Sequence, residues 1–483
     1  MNTITAIYKK LLYDYSRNKI SWFILFILAV CIGITSTTEY YKLPFFAVGL
    51  GLAGIVGYYI ITKPYWAFFI VIVMAFLAFL PGRLFSADIP VSSLVDLLIF
   101  ILFFITFGLN KDSKDTSFLK QPISIGLFIF TLYYFVEFFN TEMYSIAGWL
   151  FTIRRIITFF FIYIIAYRLF DNFDKLKQFF NFWIILAVIA CAYACFQQWY
   201  GLLPFEITYL NDHPVESALY FQGGQFRKFS FLSDPVVLGI MGGSISCFLL
   251  VFILNPTDPK KKKYHILFFL ILLLGMSYSG TRTTNIMLPA AVAFYTLLTI
   301  NNKKTVSVVI SFMVIAAVIM FAPIDNPTLN RIRSTFQSKE SSLELRDINR
   351  HYIQPYIYSH PFGGGIATSG EAGKKFNPGH VLAGFPPDSG LLQTAIEMGW
   401  IGFTLKMLFH LITLIQCIYS FFRMKFRQYK FYMLAITLSL FTMIITQYSQ
   451  VTIGQFPNSF FYYISLALII RLKQFDDAKS ITV

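Results

Sequence analysis

Arginine is the residue type whose placement in this chain most invites chemistry. Nine arginines, Arg83, Arg154, Arg155, Arg227, Arg282, Arg331, Arg333, Arg346 and Arg350, fall outside the loops where positive charge would only orient a membrane protein. A guanidinium is a rigid fork of donors that grips phosphate oxygens two at a time. Arg154 and Arg155 lie in the apolar run 149–167, where an unpaired arginine costs about 2.5–3.5 kcal/mol at mid-helix. Two uses are expected for them: an anionic ligand, or pairing with Glu137 or Glu142 of the neighbouring hairpin. Arg83, Arg331 and Arg333 read as solvated loop charges.

Arg227 precedes Ser233-Asp234-Pro235, where Ser233 or Asp234 can cap a helix and proline suits its first turn. Arg282 sits in Ser279-Gly280-Thr281-Arg282, at a second helix start. Two helix N-termini and two arginines together make an expected anion site. Leu345, Ile348, Tyr352 and Tyr356 form an apolar stripe, with Arg346 and Arg350 on another face, as in a helix lying on a membrane surface. His360-Pro361-Phe362-Gly363-Gly364-Gly365 ends that helix in a glycine turn; no Walker lysine pattern accompanies it. His351, His360 and His380 lack zinc-ligand spacing, and no metal or cofactor is expected.

The elements that must hold these residues are read from hydropathy. Of 483 residues, 57% are apolar and 13% charged, about half the charged share of a soluble domain, so lipid is the solvent for most of the chain. Apolar runs predict an all-α polytopic protein of about fourteen transmembrane helices in a single membrane domain over 1–483. They lie near 20–36, 43–62, 65–80, 94–109, 122–139, 149–168, 179–200, 234–254, 265–280, 285–300, 305–322, 390–419, 431–447 and 456–471. The first run reads as a retained helix rather than a cleaved leader. Lys63, Lys175, Lys177, Lys260 to Lys263, Lys303, Lys304 and Arg423 to Lys430 then fall on cytoplasmic connections, with both termini inside. These loops account for most of the net charge of +15, and no nucleic-acid surface is implied. Two long outer connections, 201–233 and 323–389, are where function is expected. The five cysteines sit in apolar runs and read as core residues.

Three segments together resemble the O-antigen polymerase and O-antigen ligase family of polytopic glycosyltransferases. They are Arg227 through Asp234-Pro235 and Leu238-Gly239; Ser279-Gly280-Thr281-Arg282; and Leu345-Arg346 through the glycine run into Asp388-Ser389-Gly390-Leu391-Leu392 and Glu397-Met398-Gly399-Trp400-Ile401-Gly402. The resemblance covers roughly 225–405, which it marks as the catalytic region. It implies a GT-C-like fold and inverting, metal-independent transfer of glycan from an undecaprenyl-pyrophosphate donor at the outer face of a bacterial inner membrane. Arg227 and Arg282 are then expected at the reacting pyrophosphate. Arg346, Arg350, Arg154, Arg155 and His360 are expected to bind pyrophosphate or glycan. Ligases of the family carry histidine where this chain has Asp388, which favours a polymerase joining lipid-linked repeat units, with a chain-length regulator as a further partner. A ligase is the alternative, and a lipid-linked oligosaccharide flippase or other transporter a second. Asp388 is expected either as the general base or as a helix cap, with His351, His360, His380 and Glu397 as other candidate bases.

Overall fold

The computed structural model describes residues 57, 59–85, 91–108, 116–222, 224–256, 258–323, 326–336 and 341–482. The expected spans at 20–36 and, for the most part, 43–62 lie outside the described residues, as does Cys31. The chain divides into two compact units, Met1–Ile70 and Val71–Val483, and the site lies in the second. In chain order the helices are α1 (Pro64–Phe76), α2 (Leu80–Phe85), α3 (Val91–Gly108), α4 (Pro122–Val136), α5 (Ile146–Leu169), α6 (Phe173–Tyr200), α7 (Pro204–Asp212) and α8 (Pro214–Tyr220). A two-residue hairpin, β1 (Phe221–Gln222) with β2 (Gln225–Phe226), follows. Then come α9 (Pro235–Leu254), α10 (Pro259–Tyr278), α11 (Arg282–Leu298), α12 (Lys303–Phe321), α13 (Pro327–Ser334) and α14 (Ser341–Ser359). The chain closes with α15 (Gly370–Phe376), α16 (Gly390–Arg423), α17 (Arg427–Thr446) and α18 (Asn458–Thr482).

Each apolar run within the described residues is helical, and six helices there are long and apolar enough to cross a membrane. The shorter apolar helix α12 also presents a face suited to lipid rather than water: its Ile310, Met313, Val314, Ile315 and Val318 are all more than half exposed. The packing centre is α9, against α6, α10, α11 and α17. Small residues permit this closeness, since lipid supplies no hydrophobic drive between helices and contact must come from near approach. A Cβ on Gly239 would sit 2.4 Å from Ser279 Oγ, and one on Gly275 would sit 2.4 Å from Cys191 Cβ. The four described cysteines are free and buried.

Several arginines do not behave as solvated loop charges. Arg83 is 3% exposed and clamps the segment before α9. It donates to Ser230 O (3.1 Å) and Ser233 O (2.7 Å), with its guanidinium 4.3 Å from the Phe229 ring centre. Burial of so polar a group is tolerated because carbonyls and an aromatic face replace water. Arg333 donates to Ile319 O (2.9 Å) and Ala322 O (2.5 Å), tying α13 to the end of α12. The connection 201–233 is correspondingly structured by α7, α8 and the hairpin.

The helix α14 buries a second apolar face beside its stripe. Ile353 and Ile357 face inward against Leu382, Ala395 and Ile396, while Ile348 and Tyr352 remain exposed. A tertiary partner, α16, selects the buried face here; the side chain of Leu345 lies outside the described residues.

Candidate functional site

Two arginines converge on the turn Ser279-Gly280-Thr281 between α10 and α11, and a third follows it in the chain. Arg227 donates from Nε to Ser279 O (3.0 Å) and from Nη2 to Thr281 Oγ1 (2.8 Å). Arg331 donates from Nε to Gly280 O (2.5 Å) and from Nη2 to Gln222 Oε1 (2.6 Å). Gly280 has φ +59°, and a Cβ there would lie 3.1 Å from Arg331 Nε and 3.2 Å from Arg227 Cγ. Glycine is thus required both by the left-handed backbone and by the two guanidinium groups passing it. Arg282 opens α11 directly after the turn.

The two expected helix starts meet here. Asp234 caps α9, its Oδ1 accepting from Val236 N (2.8 Å) and Val237 N (3.0 Å). The Thr281 hydroxyl accepts from Arg227 and donates to Pro235 O (3.3 Å), joining the N-termini of α9 and α11. Burial pushes Arg227 down to about 10; Arg331 adds repulsion, Asp234 opposes it, and Arg282 adds a smaller repulsion. At neutral pH Arg227 stays charged, and a bound anion would relieve the crowding of positive charge. Arg331 is therefore a member of the cluster, contrary to its expected place as a solvated charge.

The segment following α17 draws other expected residues to this end of the helices. Thr283 Oγ1 lies 2.7 Å from Ser449 Oγ, and Gly390 N donates to Gln450 O (3.2 Å). Arg350 donates to the Tyr448 hydroxyl (2.8 Å) and carbonyl (2.9 Å). Arg346, one turn earlier, is half-buried and has no hydrogen-bond or ion-pair partner among the described residues. Asp388 is half-buried, two residues ahead of Gly390, and likewise unpartnered among the described residues. It does not cap α16: Ser389 does, its Oγ accepting from Leu392 N (2.9 Å).

His360 belongs to a separate aromatic patch. Its ring stacks on Tyr356 at 4.0 Å, and its Nδ1 lies 2.9 Å from Ser359 Oγ. His380, in the same patch, accepts at Nδ1 from Leu382 N (3.0 Å), and burial pushes its imidazole below the usual histidine range. His351 is exposed on α14.

The glycine run is a turn built for backbone contact. Gly364 N donates to Ile396 O (2.8 Å), Gly365 N to Glu397 O (2.9 Å) and Trp400 N to Pro361 O (2.9 Å). These bonds satisfy the break in α16 at Gly399, where φ is +63° and a Cβ would fall 1.9 Å from Pro361 O.

Arg154 and Arg155 part company. Arg154 pairs with Asp96 (Nε to Oδ2 2.9 Å) and donates to Ser93 Oγ (2.8 Å). Asp96 thus takes the place expected for Glu137 or Glu142; Glu137 instead accepts from Asn140 Nδ2 (2.9 Å). Arg155 lines a cavity of about 330 Å³ among α4, α5, α16 and the segment after α17. Glu397, Lys406 and His410 share that cavity. Glu397 Oε1 accepts from Ser369 Oγ (2.5 Å), and Lys406 Nζ donates to Gly390 O (2.7 Å) and Thr394 Oγ1 (2.9 Å). Lys406 and His410 were not among the expected site residues, although both are ionisable residues within the apolar run 390–419 and so carry the same signal as Arg154 and Arg155. Among the described residues no three His, Cys, Asp or Glu side chains gather as metal ligands would.

A comparison with curated proteins gives no match. Residues 267–407 match the model of the O-antigen ligase family. The match takes in the 279–282 turn, Arg331, α14, the glycine run, Asp388 and the kink of α16, whereas Arg227 and Asp234 precede it. Over residues 267–407 this membrane chain is therefore similar to the O-antigen ligase family, whose members are glycosyltransferase-like enzymes of the O-antigen polymerase and ligase kind.

Proposed function

We propose that the chain polymerises undecaprenyl-pyrophosphate-linked oligosaccharide repeat units into a surface polysaccharide, at the outer face of a bacterial cytoplasmic membrane. The observation that carries this is the convergence of Arg227 and Arg331 on the turn that Arg282 follows, at two helix N-termini. Such a site is matched to a pyrophosphate, with forked donors and positive dipole ends aimed at one place. In the reaction an acceptor sugar hydroxyl attacks the anomeric carbon of the donor sugar from the face opposite the pyrophosphate. The new C–O bond forms as the bond to the pyrophosphate oxygen breaks, and configuration inverts. The electron pair leaves with the lipid pyrophosphate, whose charge the arginines stabilise. Asp388 accepts the hydroxyl proton, a role left open by its lack of a protein partner and freed from capping by Ser389. No metal takes part in this scheme.

The family description of the matched segment favours a second reading, ligation of finished glycan to a lipid or protein acceptor. Deletion of the protein followed by gel analysis of surface glycan separates the two. Single-repeat glycan is the result expected of a lost polymerase; accumulated, untransferred polymer would point to a ligase, and repeat units trapped inside the cell to a flippase.

A further inference from the structure

The cavity beside Arg155 holds positive charge that the scheme above leaves unused. Arg155 stands in the apolar helix α5, yet has no hydrogen-bond or ion-pair partner among the described residues, because Asp96 is engaged by Arg154. Its neighbours are the Phe151 and Phe456 rings, with centres 5.6 and 5.9 Å from the guanidinium carbon. A guanidinium so placed, with five N–H donors, is matched to an anionic ligand rather than to the protein. Lys406 adds a second basic side chain, its Nζ donating to Gly390 O and Thr394 Oγ1 of α16. Glu397 is the carboxylate in the cavity, and its Oε1 is engaged by Ser369. Two basic side chains therefore share the cavity with one carboxyl group.

The rest of the lining suits a sugar. Gln393 and Gln455 supply amides, and Gln455 Oε1 is buried without a hydrogen-bond partner among the described residues. Tyr134 and Phe409 supply aromatic surface. The volume, about 330 Å³, lies at the small end of ligand pockets, which span roughly 300–1,000 Å³. Its position matters too, since Gly390, Gln393 and Thr394 of the lining form the first turns of α16 directly after Asp388.

We propose that this cavity is a subsite for an acidic sugar ring, its carboxylate held by Arg155 and Lys406 and its hydroxyls by the Gln393 and Gln455 amides. The assignment rests on the proposed glycan polymerisation and narrows its substrate to repeat units containing a uronic acid or similar carboxylated sugar.

The test uses the full-length protein in detergent and ligand-observed saturation-transfer NMR with glucuronic acid, glucose and inorganic pyrophosphate. Glucuronate is expected to bind in preference to glucose. Arg155→Gln should weaken it on the order of tenfold or more, Arg155→Lys should retain part of it, and Glu397→Gln should strengthen it by removing the opposing charge. Thermal melts confirm that each variant is folded. Equal binding of glucose and glucuronate, or binding of neither, overturns the assignment. If pyrophosphate displaces glucuronate and Arg155→Gln abolishes both, the oxyanion held is the lipid's phosphate, and the acidic-sugar assignment is wrong. Pyrophosphate binding that survives Arg155→Gln while glucuronate never binds overturns the subsite and leaves the arginine cluster, and with it the proposed function, standing.

Discussion

At the scale of single residues, what distinguishes the arginines is what each one holds. Arg83 and Arg154 fix distant segments and an ion pair, whereas Arg227 and Arg331 both bond to the one turn Ser279-Gly280-Thr281. Lysine would keep the charge of Arg331 but reach neither Gly280 O nor Gln222 with the same fork. Arg331→Lys is therefore expected to lower polymer formation about tenfold to a hundredfold, the equivalent of about 1.5–3 kcal/mol for a charge-assisted hydrogen bond. Membranes should contain the protein at its normal level. Near-normal polymer from Arg331→Ala would remove it from the site. Asp388→Asn isolates the base role, because Ser389 rather than Asp388 caps α16 and folding should not suffer. Loss of polymer with unchanged melting is expected; full activity in the Asn variant would send the search for a base to Glu397 or His380.

At the scale of elements, the kink in α16 decides where the glycine run 363–365 sits. Gly399 must be left-handed so that Trp400 N reaches Pro361 O, and the facing glycines let two backbones bond directly. Gly399→Ala places a methyl group on the Pro361 carbonyl, adding overlap to backbone strain of about 1–3 kcal/mol. A clear fall in melting temperature is expected, against little change for Gly379→Ala, where a Cβ meets nothing within 4 Å. An unchanged melt for Gly399→Ala would show that the loop contact is dispensable. The α3–α5 contact yields a further test. Asp96 is 1% exposed, so Arg154→Ala leaves a buried carboxylate uncompensated, at about 3–5 kcal/mol. Asp96→Asn, Arg154→Ala should recover much of that loss, and an additive double variant would mean that the pair is not coupled.

At the scale of the whole molecule, the arginine cluster can meet a lipid-linked donor delivered outside only if its end of the helices faces outward. Single cysteines at Lys263 and Lys375 should then react oppositely with an impermeant thiol reagent in intact cells, only the second from outside. Both positions are exposed, and in a background lacking the native cysteines the labelling reports topology alone. Reaction of both from outside would invert the proposed scheme.

The sequence by itself determined the helices and the chemistry at their ends. Runs of apolar residues set the helical segments within the described residues because a backbone in lipid must satisfy its own hydrogen bonds. Asp234-Pro235 marked the start of α9, and Ser279-Gly280-Thr281-Arg282 that of α11, through purely local capping and turn preferences. What it left open was which charge meets which. Arg154 found Asp96 rather than Glu137, Arg331 joined Arg227 across Gly280, and α14 buried Ile353 and Ile357 against α16 beside its exposed stripe. Those choices belong to the tertiary structure, because a long side chain selects its partner by the distance between helices, and that distance depends on packing far from either residue in the chain.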